Sequence, residues 1–402
     1  MYNVQNNWGS LKVCAVGKSY PPEFYDFIED KSARDAMQLI ASETNEDLDN
    51  LENLLHSFGV QTIRPEFFST DVNDYLNDDG SILPPPMAPC DISATINNNF
   101  YFGRYLKNTK LKRSKQLITL DNEWAAIRGE GWPANLPASY EEYCALPEFI
   151  ISELNNISKD IPNYISNKFN YYIPPDVSFR DKIEKRLWKS LISIVENAGN
   201  AIHYNTGVAG ATTIMLTPAE LLHGTHRDLN KTVEDSLTYY NELFPGHVNH
   251  VIEVDGHIDG VYSVVGPTLL ISRPEPVFTN VEVIKNYTKL IGSQSAYDHL
   301  AIGSMLAQST RRWFSHYINN TNVDHLSDFL KITNEWFGQI DETYFEVNNV
   351  IIDEHNIIMS SASDYLIDML KSNGVTAHIS PFRHSHFWDC GIHCATSSID
   401  RG

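Results

Sequence analysis

Apolar residues at positions 51, 54 and 55, and again at 366, 369 and 370, recur with the i, i+3, i+4 spacing of a helix face. Each set opens the same longer pattern. LENLLHSFGVQTIRP (Leu51–Pro65) and LIDMLKSNGVTAHISP (Leu366–Pro381) both run from an amphipathic helix through Ser-x-Gly-Val into a short strand that ends in proline. Gly59 and Gly374 fall where a helix stops in the left-handed conformation, which a residue without Cβ adopts at little steric cost. Thr44-x-x-Asp47 predicts the start of the first helix as a variant capping box. A weaker third copy, YYNELFPGHVNHVIEV (Tyr239–Val254), again goes helix, Pro-Gly, strand. Apolar and β-branched stretches predict strands at Leu11–Val16, Thr212–Leu216, Val261–Ser272 and Val350–Met359. Strand–helix–strand units at long, irregular spacing predict an α/β protein made of similar modules, not a solenoid of fixed period.

Residues 103–194 break this pattern. They open with a basic cluster (Arg104, Lys107, Lys110, Lys112, Arg113, Lys115) and continue through WPANLP and the helical EEYCALPEFIISELNNI. Such a charge run reads first as a solvated face or loop and second as a lid over a site. Nothing in the composition marks a linker, so residues 1–402 read as one domain with 103–194 as a divergent region inside it.

An apolar fraction of 42% over 402 residues is that of an ordinary globular protein. No run approaches the roughly 18 apolar residues of a membrane span, and the opening MYNVQNNW lacks the basic and apolar regions of a signal peptide, which reads as a cytoplasmic protein. The net charge of −21 argues against nucleic acid as a partner. It weakly favours the approach of a cationic small molecule, although an acid excess also simply keeps a chain soluble. Five irregularly spaced cysteines (Cys14, Cys90, Cys144, Cys390, Cys394) read as free thiols in a reducing compartment. Cys390-x3-Cys394 with His384, His386 and His393 imitates a metal site, but no second CxxC pair or HExxH helix completes it. No metal and no cofactor is therefore expected.

The candidate chemistry sits near the C-terminus, where Cys394 follows Gly391-Ile-His393. A thiol needs a base or a positive neighbour to become a nucleophile. His393 is adjacent, and the distant segment Asp255-Gly-His-Ile-Asp259 supplies a second histidine. If VIEVDGHIDGVYSVV is extended, His257 and Asp259 lie at i and i+2 and project into one cavity. Either motif alone reads equally well as a buried cysteine or an ordinary loop histidine.

Together with their flanks, these segments resemble the glycine (arginine) and inosamine-phosphate amidinotransferases of the guanidine-modifying enzymes. His257-Ile-Asp259, followed by Gly266-Pro267-Thr-Leu-Leu-Ile-Ser272, matches the family's His-Ile-Asp motif and the Gly-Pro after it. Gly391-Ile-His-Cys-Ala-Thr396 with Arg401-Gly402 is similar to its terminal nucleophile segment. Trp8–Gly17, Glu43–Leu48 and Phe58–Pro65 look like its opening strand, first helix and second strand, and Pro86-Met-Ala-Pro-Cys-Asp91 is similar to its Pro-Arg-Asp. The match spans about residues 6–102 and 195–402.

The resemblance implies a pseudo-fivefold α/β propeller of ββαβ modules. It implies Cys394 as nucleophile, His257 as acid and base, and Asp91 and Asp259 as guanidinium contacts. The implied partners are a small guanidino donor and an amine acceptor, with neither nucleic acid nor membrane; the family includes homodimers. The family's acidic segment matches Glu196-Asn-Ala-Gly-Asn-Ala-Ile202, which puts Asn197 at the position that orients the histidine and Asn200 at a second acid. Asparagine can orient a ring but carries no charge to stabilise an imidazolium. Arg273 is the positional candidate for the donor's carboxylate. Amidino transfer from arginine is the preferred reading. Hydrolysis of the same intermediate by water, as in a deiminase or dihydrolase, is the alternative; a catalytically weakened guanidino-binding relative is the third.

Overall fold

The computed structural model describes residues 1–76, 82–103, 178–204, 206, 208–226, 233–254, 257–273, 282–292, 346–388 and 390–402. They belong to one compact unit built from Met1–Tyr105 and Ser178–Gly402. The basic cluster, Cys144, Asp255 and most of the divergent region lie outside the described residues.

The strands fall into five three-stranded sheets of one kind. In chain order they are β1 Leu11–Val16, β2 Gln61–Ile63, β3 Ser93–Ile96, β4 Asn99–Phe102, β5 Ala201–Tyr204, β6 Thr213–Thr217, β7 Glu220–His226, β8 Val248–Val254, β9 Tyr262–Gly266, β10 Leu269–Ser272, β11 Thr288–Ile291, β12 Val350–Asp353, β13 Asn356–Met359, β14 Thr376–Ile379 and β15 Thr396–Arg401. Four sheets pair two consecutive strands antiparallel and add a third strand parallel: β3-β4-β5, β6-β7-β8, β9-β10-β11 and β12-β13-β14. The fifth closes the chain on itself, with β15 antiparallel to β1 and β1 parallel to β2. A parallel third strand needs a crossover, and helices supply it: α1 Lys31–Ser57 before β2, α2 Ser178–Leu187 and α3 Lys189–Asn197 before β5, α4 Val233–Leu243 before β8, and α5 Asp364–Ser372 before β14. The architecture is thus mixed α/β, as expected from the repeats.

The repeat that the apolar spacing exposed is the helix-to-third-strand half of this unit. Gly59 and Gly374 carry φ of 77° and 79° and end α1 and α5 as expected. The N-terminal half of each unit is a hairpin, which merges in the sequence into one apolar run. Hence Val261–Ser272 and Val350–Met359 are each two strands joined by a tight turn. The capping-box expectation is corrected: α1 starts more than three turns earlier, where Asp30 accepts a hydrogen bond from Ala33 N at 2.9 Å. Thr44 lies mid-helix, its hydroxyl turned back onto the Ile40 carbonyl at 2.6 Å, and Asp47 binds Arg383. α1 buries Ala33, Met37, Ile40 and Ala41 against Tyr20, Phe24, Phe100, Trp188 and Phe387, tying the segment before β15 to the same core. Among the described residues no helix is long and apolar enough to cross a membrane.

Candidate active site

Three loop segments, each leading into the first strand of a sheet, bring the candidate residues together. A 3-10 turn at Pro89–Asp91 precedes β3, another at Ile258–Gly260 precedes β9, and the turn Gly391–Ala395 precedes β15. The segment Glu346–Asn349 before β12 completes the group. Antiparallel closure of β15 on β1 and the bond from Cys90 N to the Cys394 carbonyl (3.3 Å) lock the first and third segments together.

Asp259 is the hub. Its carboxylate, 3% exposed, accepts at Oδ2 from His393 Nδ1 (2.8 Å), Asn348 Nδ2 (3.2 Å) and the Cys394 thiol (3.3 Å). Burial alone would raise its pKa. The hydrogen bond and charge of His393, joined by His257 and the thiol, outweigh burial and hold the carboxyl below its usual value. The Cys394 thiol moves the other way: a hydrogen bond with Cys390, burial and the negative Asp259 push it well above the ordinary thiol range. Burial, reinforced by Asp259 and Asp91, does the same to Cys90.

Asn348 was not legible as a site residue. Buried to 2% exposure, it accepts at Oδ1 from the backbone N–H of His393 (2.8 Å) and Cys394 (3.2 Å), and it donates from Nδ2 to the Cys394 sulfur (3.1 Å) as well as to Asp259. Its neighbour Asn349 makes this segment rigid, accepting from Ser263 Oγ at 2.8 Å and donating to the Glu346 and Val347 carbonyls at 3.1 Å. Two adjacent asparagines before an apolar strand look like ordinary turn residues, and only the fold shows what they hold.

The expectation that His257 and Asp259 share a strand face is corrected. His257 caps a 3-10 turn, and the helical advance sends the two side chains to different depths. Asp259 is buried, whereas the His257 side chain is 45% exposed and meets Asp91, Nδ1 to Oδ1, at 3.6 Å. Asn197 ends α3, a helix and not a strand, on the exposed surface, one residue before the turn that closes the helix. Asn200 is buried, but its amide is committed to backbone: it accepts from Tyr2 N (2.9 Å) and donates to the carbonyls of Tyr2 (2.7 Å) and Asn98 (3.0 Å). This pins the N-terminal segment to the β3–β4 turn. Arg273 follows β10 directly, its amide bonded to the Val261 carbonyl at 3.2 Å and its charge felt by the Tyr262 hydroxyl.

No protein-family model matches the chain, and no curated protein does. Solved structures do. An inosamine-phosphate amidinotransferase from Streptomyces griseus superposes with a TM-score of 0.57 at 12% identity, covering 100% of this chain and 97% of its own. An amidinotransferase of the saxitoxin biosynthetic pathway from Microseira wollei gives 0.55 at 12% identity, with the same coverage of 100% and 97%. The chain, matched over its whole length, therefore has the fold of these amidinotransferase structures.

Proposed function

We propose that this protein is a guanidino-group-modifying enzyme that moves an amidino group from arginine, or a related guanidino donor, to an amine through Cys394. The observation that carries the reading is a buried thiol 3.3 Å from a buried carboxylate, Asp259, with a second carboxylate and a histidine, Asp91 and His257, paired beside it. A guanidinium is planar and cationic, and carboxylates are the groups that bind it with directional, charge-assisted hydrogen bonds. We read the five like-ordered sheets as propeller blades around that pocket, and Arg273 as the contact for the donor's carboxylate.

The electrostatics favour a defined order of events. At rest the thiol is held protonated by Cys390, burial and Asp259. A guanidinium docking between Asp259 and Asp91 brings positive charge to within contact of the sulfur and removes the penalty that the carboxylates impose. Cys394 gives its proton to His257 as its sulfur attacks the guanidinium carbon, and His257, steered by Asp91 and open to the substrate side, passes that proton to the departing amine as the C–N bond breaks. The amidino-cysteine left behind is attacked by the acceptor amine. His257 takes the acceptor's proton, the C–S bond breaks, and the thiol is regenerated. Asp91 takes the ring-orienting role that the sequence assigned to Asn197.

Mass spectrometry of the protein after exposure to arginine tests this directly. The expected result is ornithine in solution and an amidino adduct on the Cys394 peptide, both lost in Cys394→Ala. Citrulline and ammonia formed without an added amine would assign the site to hydrolysis instead. Absence of ornithine with every amine tried, with Cys394 unmodified, would refute guanidino chemistry altogether.

A further inference from the structure

The Cys90 sulfur lies 3.6 Å from His393 Nδ1, the same nitrogen that lies 2.8 Å from Asp259 Oδ2. The three atoms all fall within 4.8 Å of one another. The Cys394 sulfur lies 3.3 Å from that carboxylate oxygen. In a tetrahedral zinc site, bond lengths of about 2.0–2.3 Å place nitrogen and oxygen ligands roughly 3.3 Å apart, sulfur and nitrogen or oxygen roughly 3.5 Å apart and two sulfurs roughly 3.8 Å apart. The Cys90–His393 distance of 3.6 Å and the Cys394–Asp259 distance of 3.3 Å lie within a few tenths of an ångström of those edges, and the 2.8 Å His393–Asp259 hydrogen bond would open by about half an ångström to admit the ion. Two thiols, one imidazole and one carboxylate are also the donor types that zinc-class ions take.

Two further features show that the arrangement is built. Gly210 makes room for the Cys90 sulfur: a Cβ there would stand 2.7 Å from it, closer than real contacts allow. Asn348 Nδ2 bonds both Asp259 Oδ2 and Cys394 Sγ, orienting two of the four ligand groups from outside, as outer partners do in metal sites. A small cavity of about 50 Å³, lined by Cys90, Gly210, Thr213, His393, Ser397 and Arg401 among others, reaches two of the ligands from behind. Nothing in the proposed amidino transfer uses Cys90, which occupies the place of the arginine in the Pro-Arg-Asp motif that Pro89-Cys-Asp91 resembles.

We infer that Cys90, His393, Asp259 and Cys394 form a binding site for one zinc-class divalent ion, and that occupancy silences the Cys394 nucleophile. Each thiol loses its proton as its sulfur bonds the metal; Asp259 binds as the carboxylate and His393 as the neutral imidazole through Nδ1. Sequence spacing hid most of this set: His393 and Cys394 stand in the Cys390-x3-Cys394 grouping that imitates a metal site, but Cys90 and Asp259 come from distant segments, and His384 of that grouping is engaged elsewhere. His384 binds Glu43 at 2.7 Å.

The test uses the full chain, reduced, stripped with a chelator and titrated with cobalt(II) and then zinc. The expected result is a thiolate-to-cobalt charge-transfer band that saturates at one equivalent and is displaced by zinc. Cys90→Ser, which keeps the side-chain volume, removes one ligand and is expected to weaken binding by about 100-fold or more, since even loss of an outer partner costs 10–100-fold. Gly210→Ala, which leaves every ligand in place but displaces the Cys90 sulfur, is expected to weaken it as well. Cys14→Ala, which removes a buried thiol outside the cluster, is expected to leave the band unchanged. In the unaltered protein, one equivalent of zinc is expected to protect Cys394 from iodoacetamide, read peptide by peptide. No band at one equivalent, a band that forms in Cys90→Ser with undiminished affinity, or no protection of Cys394 would each overturn the inference. None of these readouts needs a guanidino substrate, so a failed arginine reaction and a failed metal site are told apart.

Discussion

Asn348→Ala is the sharpest perturbation of the nucleophile's surroundings, because it takes away two separable supports. The Oδ1 atom is the acceptor for two backbone amides, His393 N at 2.8 Å and Cys394 N at 3.2 Å. In the alanine variant both N–H groups stay close to the buried sulfur with no acceptor. A buried donor left unpaired costs about 1–3 kcal/mol, and water entering the vacated space recovers part of it. The expected loss of stability is therefore about 2–4 kcal/mol, read as a lowered urea midpoint with an unchanged slope. The Nδ2 atom is a donor to the sulfur at 3.1 Å, an interaction that strengthens once the sulfur is a thiolate. A hydrogen bond to a charged group contributes about 1.5–3 kcal/mol, so at a pH where the thiol is mostly protonated the thiolate fraction falls by about 10- to 100-fold.

The assay is the rate of iodoacetamide modification of Cys394 at fixed pH, quantified on its own peptide so that the other cysteines do not contribute, and compared with the denatured chain. A slower rate in Asn348→Ala under conditions where circular dichroism shows the variant folded is the expected outcome. An unchanged rate, within twofold, would mean that Asn348 only builds the turn and that its contact with the sulfur has no bearing on reactivity. A stability loss below about 0.5 kcal/mol would refute the other half, since two buried amides cannot lose their acceptor at so small a cost.

Asp259→Asn is expected to act in opposite directions on two readouts. Removing the negative charge beside the sulfur lowers the thiol's pKa and speeds iodoacetamide modification of Cys394, while loss of the guanidinium contact abolishes the arginine adduct; two changes of the same sign would contradict the electrostatic reading. His223 gives a pH dependence away from the site. Buried against Tyr240 between Thr213 Oγ1 and Asn249 Oδ1, both at 3.1 Å, it is held neutral with its pKa brought down to about 3 by burial. A depressed folded pKa stabilises above the unfolded value near 6.5, and that stability is lost as pH falls toward about 3, on the order of 4 kcal/mol across the window. His223→Gln is expected to flatten the stability-versus-pH curve there; an identical acid slope in the two proteins would exclude His223 as its source.

What the sequence disclosed follows the range of each signal. Periodicity is local, so the helix, glycine and strand of α1–β2 and α5–β14 were visible, as was the like position of Gly59 and Gly374. The β9–β10 and β12–β13 hairpins read as single strands because their turns, at Pro267-Thr268 and Asp353–Asn356, are short and lie between apolar runs of like composition. The cap at Asp30 was hidden because helix α1 continues through Thr44, whose hydroxyl is satisfied by the preceding turn. At the site, Cys394 and Asp259 were legible from motif chemistry, but parity on a presumed strand misplaced His257 relative to Asp259. Asn197 was placed by composition alone, and the segment that carries it is the end of a helix rather than a strand. Asn348 and Cys90 carry no spacing signal at all. Their roles come from the closing of β15 onto β1 and from the approach of the Glu346–Asn349 segment, contacts that span 46 residues for Asn348 to Cys394 and 303 for Cys90 to His393.

The charge balance of the cluster unites the two proposals. Asp259 and Asp91 place negative charge around sulfur atoms that burial already keeps protonated, an arrangement poorly suited to a free, resting nucleophile. It becomes suited to one when a cation enters. A guanidinium does this transiently, pairing with the carboxylates and presenting its carbon to the sulfur. A divalent ion does it more strongly, but it takes the sulfur itself as a ligand and leaves no electrophile to attack. Both require Asp259, so they exclude one another, and Cys90 decides between them: an arginine at that place would add a fixed positive charge where the thiol adds a ligand. Cys90→Arg is therefore the substitution that should erase metal binding, and any gain in the rate of adduct formation at Cys394 would show how much the thiol there restrains the reaction.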